Sequence, residues 1–476
     1  MEGKLMILLP LIVFFSTVEA QQHVEKMQHH QNSDSFTLEL VHRHAFQFTN
    51  NKLKTRQERL EDLLHRDVIR HRIASHRVQT RRRSGEAISA SASTEMPLAS
   101  AVDYAIAQYF TTLNIGTPSQ KFRLVVDTGS DLTWVSCRYG CSGRGGDCSR
   151  KGRMKGNRVF HAPSSSSFSP IPCASEMCDV VASPFTLTTC PTPLTPCAYA
   201  YSYVDGSEAV GVLANETITV GLTNGRKTRL RNVVIGCTNS YKASIGHIDG
   251  ILGISNTKYS FTTYAAEKFG ARFSYCLVDH LSHLNVTNYL TFGKRRNQVK
   301  VLGNTRYTRL ELDAIPSFYA VNVKGISIGG KMLEIPMKVW DTTQGGGMII
   351  DSGTSLTRLV DSAYRTVMEV LTKSVSKYQR VKLDTIPMEY CINATAGFDK
   401  TLVPKLIIHF KDGARFEPHW KSYIIDAGGG IRCLGFSPAG FPGLSTIGNI
   451  MQQNYLWEFD LEGKKLGFAP SSCNNS

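Results

Sequence analysis

Two seven-residue stretches of this chain follow one pattern. Leu124-Val125-Val126-Asp127-Thr128-Gly129-Ser130 and Met348-Ile349-Ile350-Asp351-Ser352-Gly353-Thr354 each run three apolar residues, Asp, a hydroxyl residue, Gly and a second hydroxyl residue. Roughly a hundred residues further on, each is followed by an apolar step into Gly, Ile251-Leu252-Gly253 in the first case and Thr446-Ile447-Gly448 in the second. A repeat spread over most of a chain constrains the fold more than any single element. It points to a duplicated domain with one acidic turn per half and an active site between the two lobes.

The turns also carry a chemistry. An apolar strand ending in Asp places a carboxylate at the tip of a tight loop, and Gly permits the turn and close approach of the partner backbone. Two carboxylates a few ångströms apart cannot both ionise, so they share a proton and titrate as a unit. The ionised member can take a proton from a water held between them. Its protonated partner can hydrogen-bond the attacked carbonyl and then protonate the leaving nitrogen. No metal or cofactor is required. A single Asp-Thr-Gly is weak evidence, because Asp is ordinary in turns. Two copies with matching surroundings are not.

The rest of the chain divides by texture. Met1 to Ala20 has a basic start, an apolar run from Leu5 to Phe15 and a small-residue end, the form of a signal peptide. Residues 21–96 hold no Cys, one Gly and 8 of the 14 His. Within them Ser35–Val41 alternates as a strand does. Leu53, Leu60, Leu63, Leu64, Val68, Ile69 and Ile73 follow helical spacing on a basic helix. Arg81-Arg82-Arg83 and a Ser/Ala-rich run then read as an exposed linker. From about residue 97 short β-type runs dominate, including Tyr109–Ile115, Phe122–Val126, Met348–Ile350 and Leu406–Phe410, with Ser362–Ser374 the clearest helix. The expected class is mainly β.

Twelve Cys behind a signal peptide favour disulfides. Zinc is the competing reading, and the irregular spacing of the cluster from Cys137 to Cys197 lacks paired C-x2-C knuckles. Asn215, Asn285 and Asn393 head glycosylation sequons. The formal net charge of +15 and the basic loop Gly143–Arg158 raise nucleic acid as a partner, but the loop has no interleaved aromatics for base stacking. A solvated basic loop is the simpler account.

On these residues the chain resembles the pepsin-like aspartic proteases, and within them the nepenthesin-like atypical plant group, over about residues 97–473. Gly116-Thr117-Pro118, Leu132-Thr133-Trp134-Val135 after the first motif, and Gly345-Gly346-Gly347 before the second are similar to the family's. So are Ile447-Gly448-Asn449, Gln452-Gln453-Asn454 and Gly467-Phe468-Ala469-Pro470. The resemblance implies a bilobal pepsin-like fold with the cleft between two duplicated β lobes and a six-stranded interdomain sheet. It implies a prosegment at 21–96, an N-terminal lobe at 97–300 carrying the Cys-rich insertion, and a C-terminal lobe at 301–476. Carried over, Asp127 and Asp351 are the catalytic pair. Thr128 and Ser352 bond across the loops, Ser130 and Thr354 contact the outer carboxylate oxygens, and Gly129 and Gly353 complete the turns. Tyr203 matches the flap tyrosine and Trp134 its support, while Cys391 and Cys433 match the C-lobe disulfide. One departure stands in the flap, where Val204 replaces the subgroup's usual Gly and stiffens the backbone.

The implied activity is endopeptidase cleavage at acidic pH by a monomer that is synthesised with its own prosegment as inhibitor and takes proteins or peptides as substrates. The alternative is a protein of the same fold that has lost catalysis, glycanase-inhibitor-like or nucleic-acid-binding. The expected station is the secretory pathway, ending outside the cell, in the apoplast, or in the vacuole. The chloroplast, where some relatives are placed, is the alternative.

Overall fold

The computed structural model describes residues 35–42, 55–61, 63–64, 67, 109–139, 158–178, 186–187, 190–202, 208–242, 249–279, 288–294, 299–315, 317–383 and 388–473. The signal peptide, the Arg81-Arg82-Arg83 linker, Tyr203, Val204 and Asn285 lie outside them.

The fold is mainly β and bilobal. In each lobe the acidic motif ends a strand buried on both faces. Gln120–Asp127 lies between an antiparallel neighbour, Tyr109–Ile115, and a parallel one, Gly250–Gly253, in a register that sets Gly253 beside Asp127. Met348–Ile350 pairs antiparallel with Tyr319–Val321 and parallel with Ser445–Ile447, which sets Ile350 beside Ile447. The repeated apolar step into Gly is therefore the parallel partner of the motif strand in both halves. Continuous apolar runs suit strands with no solvent face.

Gly is required at the end of that step because backbone passes too close for a side chain. A Cβ on Gly253 would sit 2.8 Å from the Ser130 carbonyl oxygen, and one on Gly448 would sit 2.3 Å from that of Leu356. Each Gly wedges its strand against the loop that follows the acidic turn of its own lobe.

Six strands form the sheet beneath both lobes: Phe36–His42, Asn288–Phe292, Arg272–Cys276, Tyr455–Asp460, Lys465–Ser472 and Arg306–Glu311, neighbours in that order. The amino-terminal segment supplies the first of them. Phe36 is fully buried and its ring stacks on Phe292 at 4.8 Å, with Phe269 at 4.7 Å. The alternation in Ser35–Val41 thus places one face of the strand in the main core.

Residues 56–61, 63, 64 and 67 are helical. Leu60, Leu63 and Leu64 pack on Leu356, Met388, Ile425, Ala427 and Ile450 of the second lobe, beside the Cys391–Cys433 disulfide. The helix Asp361–Ser374 buries Ala363, Tyr364, Val367, Met368 and Leu371, a stripe at helical spacing. The other bridges among the described residues are Cys137–Cys237, Cys173–Cys190, Cys178–Cys197 and Cys276–Cys473, and none of these residues has a free thiol. The last ties the first lobe's strand in the central sheet to the carboxy-terminal strand.

Candidate active site

The two acidic turns meet. Asp127 and Asp351 are both buried, at 1% and 2% exposure, although Asp is rarely inside without partners. Within its own turn Asp127 accepts through Oδ1 from the Gly129 N–H at 3.0 Å and through Oδ2 from the Ser130 hydroxyl. Asp351 repeats this with the Gly353 N–H at 2.9 Å and the Thr354 hydroxyl at 2.6 Å.

Thr128 joins the two turns. Its Oγ1 donates to Asp351 Oδ1 at 3.1 Å, accepts from the Ser352 N–H at 3.3 Å and lies 3.4 Å from Ser352 Oγ. Both hydroxyl residues after the Asp residues therefore take part in the join. The shortest of these three contacts is on the carboxylate of Asp351.

Further ties hold the lobes in register. Ser317 Oγ donates to the buried carboxylate of Asp131 at 2.8 Å, and the Tyr319 hydroxyl donates to the Ile254 carbonyl at 2.7 Å. Gln452, fully buried, is the densest junction. Its Nε2 donates to the carbonyls of Asp351 at 3.2 Å and Ile447 at 2.7 Å, while its Oε1 accepts from the Tyr275 hydroxyl of the first lobe at 2.6 Å. Burial, followed by the nearby Asp351, pushes the Tyr275 phenol well above its ordinary range, so it stays a donor. Asn449 Nδ2 donates to the Ser352 carbonyl at 3.0 Å.

Sequence reasoning quoted Gln452 and Asn449 but gave them no role, and it gave none to Ser317. The available signal was a pair of amides inside the apolar run around Ile447 and Leu456. A buried amide must find partners. Which partners it finds depends on the fold.

The amino-terminal segment also reaches this region. Asp67 is fully enclosed, and its carboxylate accepts from the Ser355 N–H at 2.7 Å and the Leu356 N–H at 2.6 Å, directly after the second motif. Burial lifts its carboxyl to about 6, against the pull of those N–H groups and of Arg358. Burial lowers the Arg358 guanidinium to about 10, against the raising effect of Asp67. On the segment's helix, Arg56 pairs with Asp426 at 2.7 Å. Arg59 is buried within the field of Asp279.

Of the other expected residues, Trp134 is buried in the strand Thr133–Arg138. Asn215 lies within the strand Glu208–Gly221, paired on one side with Val234 and on the other with Ser169. Asn393 ends a short strand and accepts from the Thr395 N–H at 3.0 Å. Among the described residues no helix is long and apolar enough to cross a membrane, and no cluster of three or more His, Cys, Asp or Glu gathers as metal ligands would.

Two family models described as "Xylanase inhibitor N-terminal" and "Xylanase inhibitor C-terminal" match residues 109–294 and 318–470. Aspartic proteinase nepenthesin-1 of Nepenthes gracilis is 31% identical over 373 residues, covering 78% of this chain and 79% of its own length. The chain belongs to the pepsin-like aspartic protease family. "Aspartyl protease family protein 2" of Arabidopsis thaliana, another member, is 32% identical over 371 residues, covering 77% of this chain and 71% of its own. Among solved structures, conglutin gamma of lupine seeds superposes with a TM-score of 0.61 at 17% identity, covering 93% of this chain and 98% of that one. Basic 7S globulin of soybean gives 0.59 at 19%, covering 77% and 92%. These two share the pepsin-like fold with the chain.

Proposed function

We propose that this family member is an active endopeptidase that hydrolyses peptide bonds at acidic pH through a water held between Asp127 and Asp351. The observation that carries the reading is the join between the turns, Thr128 Oγ1 on Asp351 Oδ1 with Ser352 alongside. It supports a pair of buried carboxylates acting on one water, and this family is the reference case for two carboxylates sharing one proton. Asp127 and Asp351 take the roles of base and acid. Ser130 and Thr354 hold the carboxylates in plane. Trp134 supports Tyr203, which closes over the substrate. The test is a cleavage-site profile of acid-treated purified protein against a peptide library.

The alternative is a binding protein without catalysis, favoured by the description of the matching family models as xylanase inhibitors. It predicts no turnover of any peptide and tight association with a glycanase. Retention of both acidic turns and their hydroxyl partners weighs for the protease. Binding of nucleic acid by the basic surface would appear as an affinity that falls steeply with salt.

The positioning role of Gln452 gives a first expected outcome. Gln452→Leu strands the Asp351 and Ile447 carbonyls and the Tyr275 hydroxyl in the interior. It should lower stability by roughly 2 kcal/mol, read as a shift in urea midpoint, and lower kcat more than it raises KM.

We further propose that residues 21–96 are a prosegment that holds the enzyme inactive and is removed in acid, with residues 1–20 a signal peptide directing the chain to the secretory pathway. The titration of Asp67 works against release. Its carboxyl is raised to about 6 when docked, so its contribution to docking is complete below the free-carboxyl range near 4 and fades as pH rises through about 6. Acid release must therefore come from other groups, such as the segment's histidines. Purified full-length protein held at pH 4 should convert to a shorter form, whereas Asp351→Asn should not. Equal stability of the wild type at pH 4 and pH 7 would defeat self-activation.

A further inference from the structure

The place where Asp67 sits is a built acceptor site. Two successive backbone N–H groups, from Ser355 and Leu356, turn toward one carboxylate at 2.7 and 2.6 Å. Such an arrangement of neighbouring amides is a cradle for an anionic or acceptor group. Arg358, buried on the strand Thr357–Val360 and anchored to the Pro438 carbonyl, adds positive potential behind it. The carbonyl of Ser355 is used inside the lobe, by the Ile450 N–H at 3.1 Å.

The cradle lies beside the chemistry. Ser355 directly follows Thr354, whose hydroxyl bonds Asp351. An extended peptide advances about 3.3 Å per residue. A substrate with its scissile carbonyl at the dyad therefore reaches the cradle with a side chain within a few residues of the cut. The occupant is a residue of the amino-terminal segment, which lies outside the span matched by the family models. When the segment leaves, two inward-held donors lose their acceptor, and a donor without a partner is unfavourable.

We infer that, after the segment departs, the N–H groups of Ser355 and Leu356 with Arg358 behind them form a subsite for an acidic side chain of the polypeptide substrate. This rests on the protease reading and deepens it. The apolar surface covered by Leu60, Leu63 and Leu64 lies alongside and suits bulky apolar neighbours of that acidic residue.

The pH dependence separates this from a simple cationic pocket. Among the described residues, the charged group of the lobe that acts on the enclosed carboxylate is Arg358. On the segment's helix, Arg56 pairs with Asp426, and Arg59 is buried within the field of Asp279. Burial outweighs the donors and holds an enclosed carboxyl at about 6. By linkage an acidic side chain enclosed there, as Asp67 is, binds best near pH 4 and less well as pH rises through about 6. A pocket selecting only the charged form would show the reverse.

The experiment compares acid-treated full-length protein on matched peptides that carry Asp or Ala at each position within four residues of the cut. At one position Asp should raise kcat/KM about tenfold or more, mainly through KM, and the ratio should fall between pH 4 and pH 6.5. In parallel, full-length Asp67→Ala is melted in formate and in chloride. Formate should raise its Tm and leave the wild type unchanged, because a small carboxylate refills the cradle. A flat peptide profile with hydrolysis intact overturns the subsite and leaves the protease reading standing, as does a ratio that grows with pH. No hydrolysis of any peptide removes the protease reading and the substrate subsite with it.

Discussion

Asp127→Asn and Asp351→Asn should each lower peptide hydrolysis on the order of 10³-fold or more, with the thermal midpoint close to that of the wild type. Removing either carboxylate leaves no partner to exchange the shared proton, so water activation and leaving-group protonation both stop. The fold should survive because the amide meets the same hydrogen bonds. At position 351 its oxygen still accepts from the Gly353 N–H and the Thr128 hydroxyl, and its nitrogen donates to Thr354 Oγ1 once that hydroxyl turns. The same exchange is open at 127 with Gly129 and Ser130. Initial rates at acidic pH, with circular dichroism melts of the same preparations, check this. Wild-type rates in either variant would dismiss the pair as catalytic.

The second large effect is on folding. Gly448→Val should destabilise the chain by about 3 kcal/mol or more, seen as a lower denaturant midpoint and poor recovery of soluble protein. A Cβ at 448 would overlap the Leu356 carbonyl at 2.3 Å and the Ser355 carbonyl at 2.5 Å. Those atoms are backbone and cannot swing aside. They also belong to the loop that follows the second acidic turn, so any accommodation moves Asp351 and the cradle beside it. Surviving protein should therefore lose activity beyond its loss of fold. An unchanged midpoint would show that the loop yields.

The shared pattern at 124–130 and 348–354 carried most of the architecture. Buried strands are written as continuous apolar runs, and a Gly needed for backbone contact cannot be replaced, so both motifs and the later Gly253 and Gly448 stand out along the chain. The helix at Asp361–Ser374 was legible for a similar local reason, since its apolar stripe and polar face both lie within one turn-by-turn repeat. The strand Phe36–His42 showed its alternation, yet nothing local said that it would head the six-stranded sheet.

What the sequence determined by itself is therefore what depends on near neighbours: the β character, the two acidic turns and the apolar face of the segment's helix. Only the tertiary structure decided which long-range partners meet. Gln452 had to satisfy a carbonyl 101 residues away and a hydroxyl 177 residues away. Arg56 found Asp426, and Asp67 crossed 288 residues to the amide of Ser355. A polar side chain announces that it needs a partner, but many donors and acceptors fit that need equally along a chain. Burial and packing choose among them only once the lobes have closed.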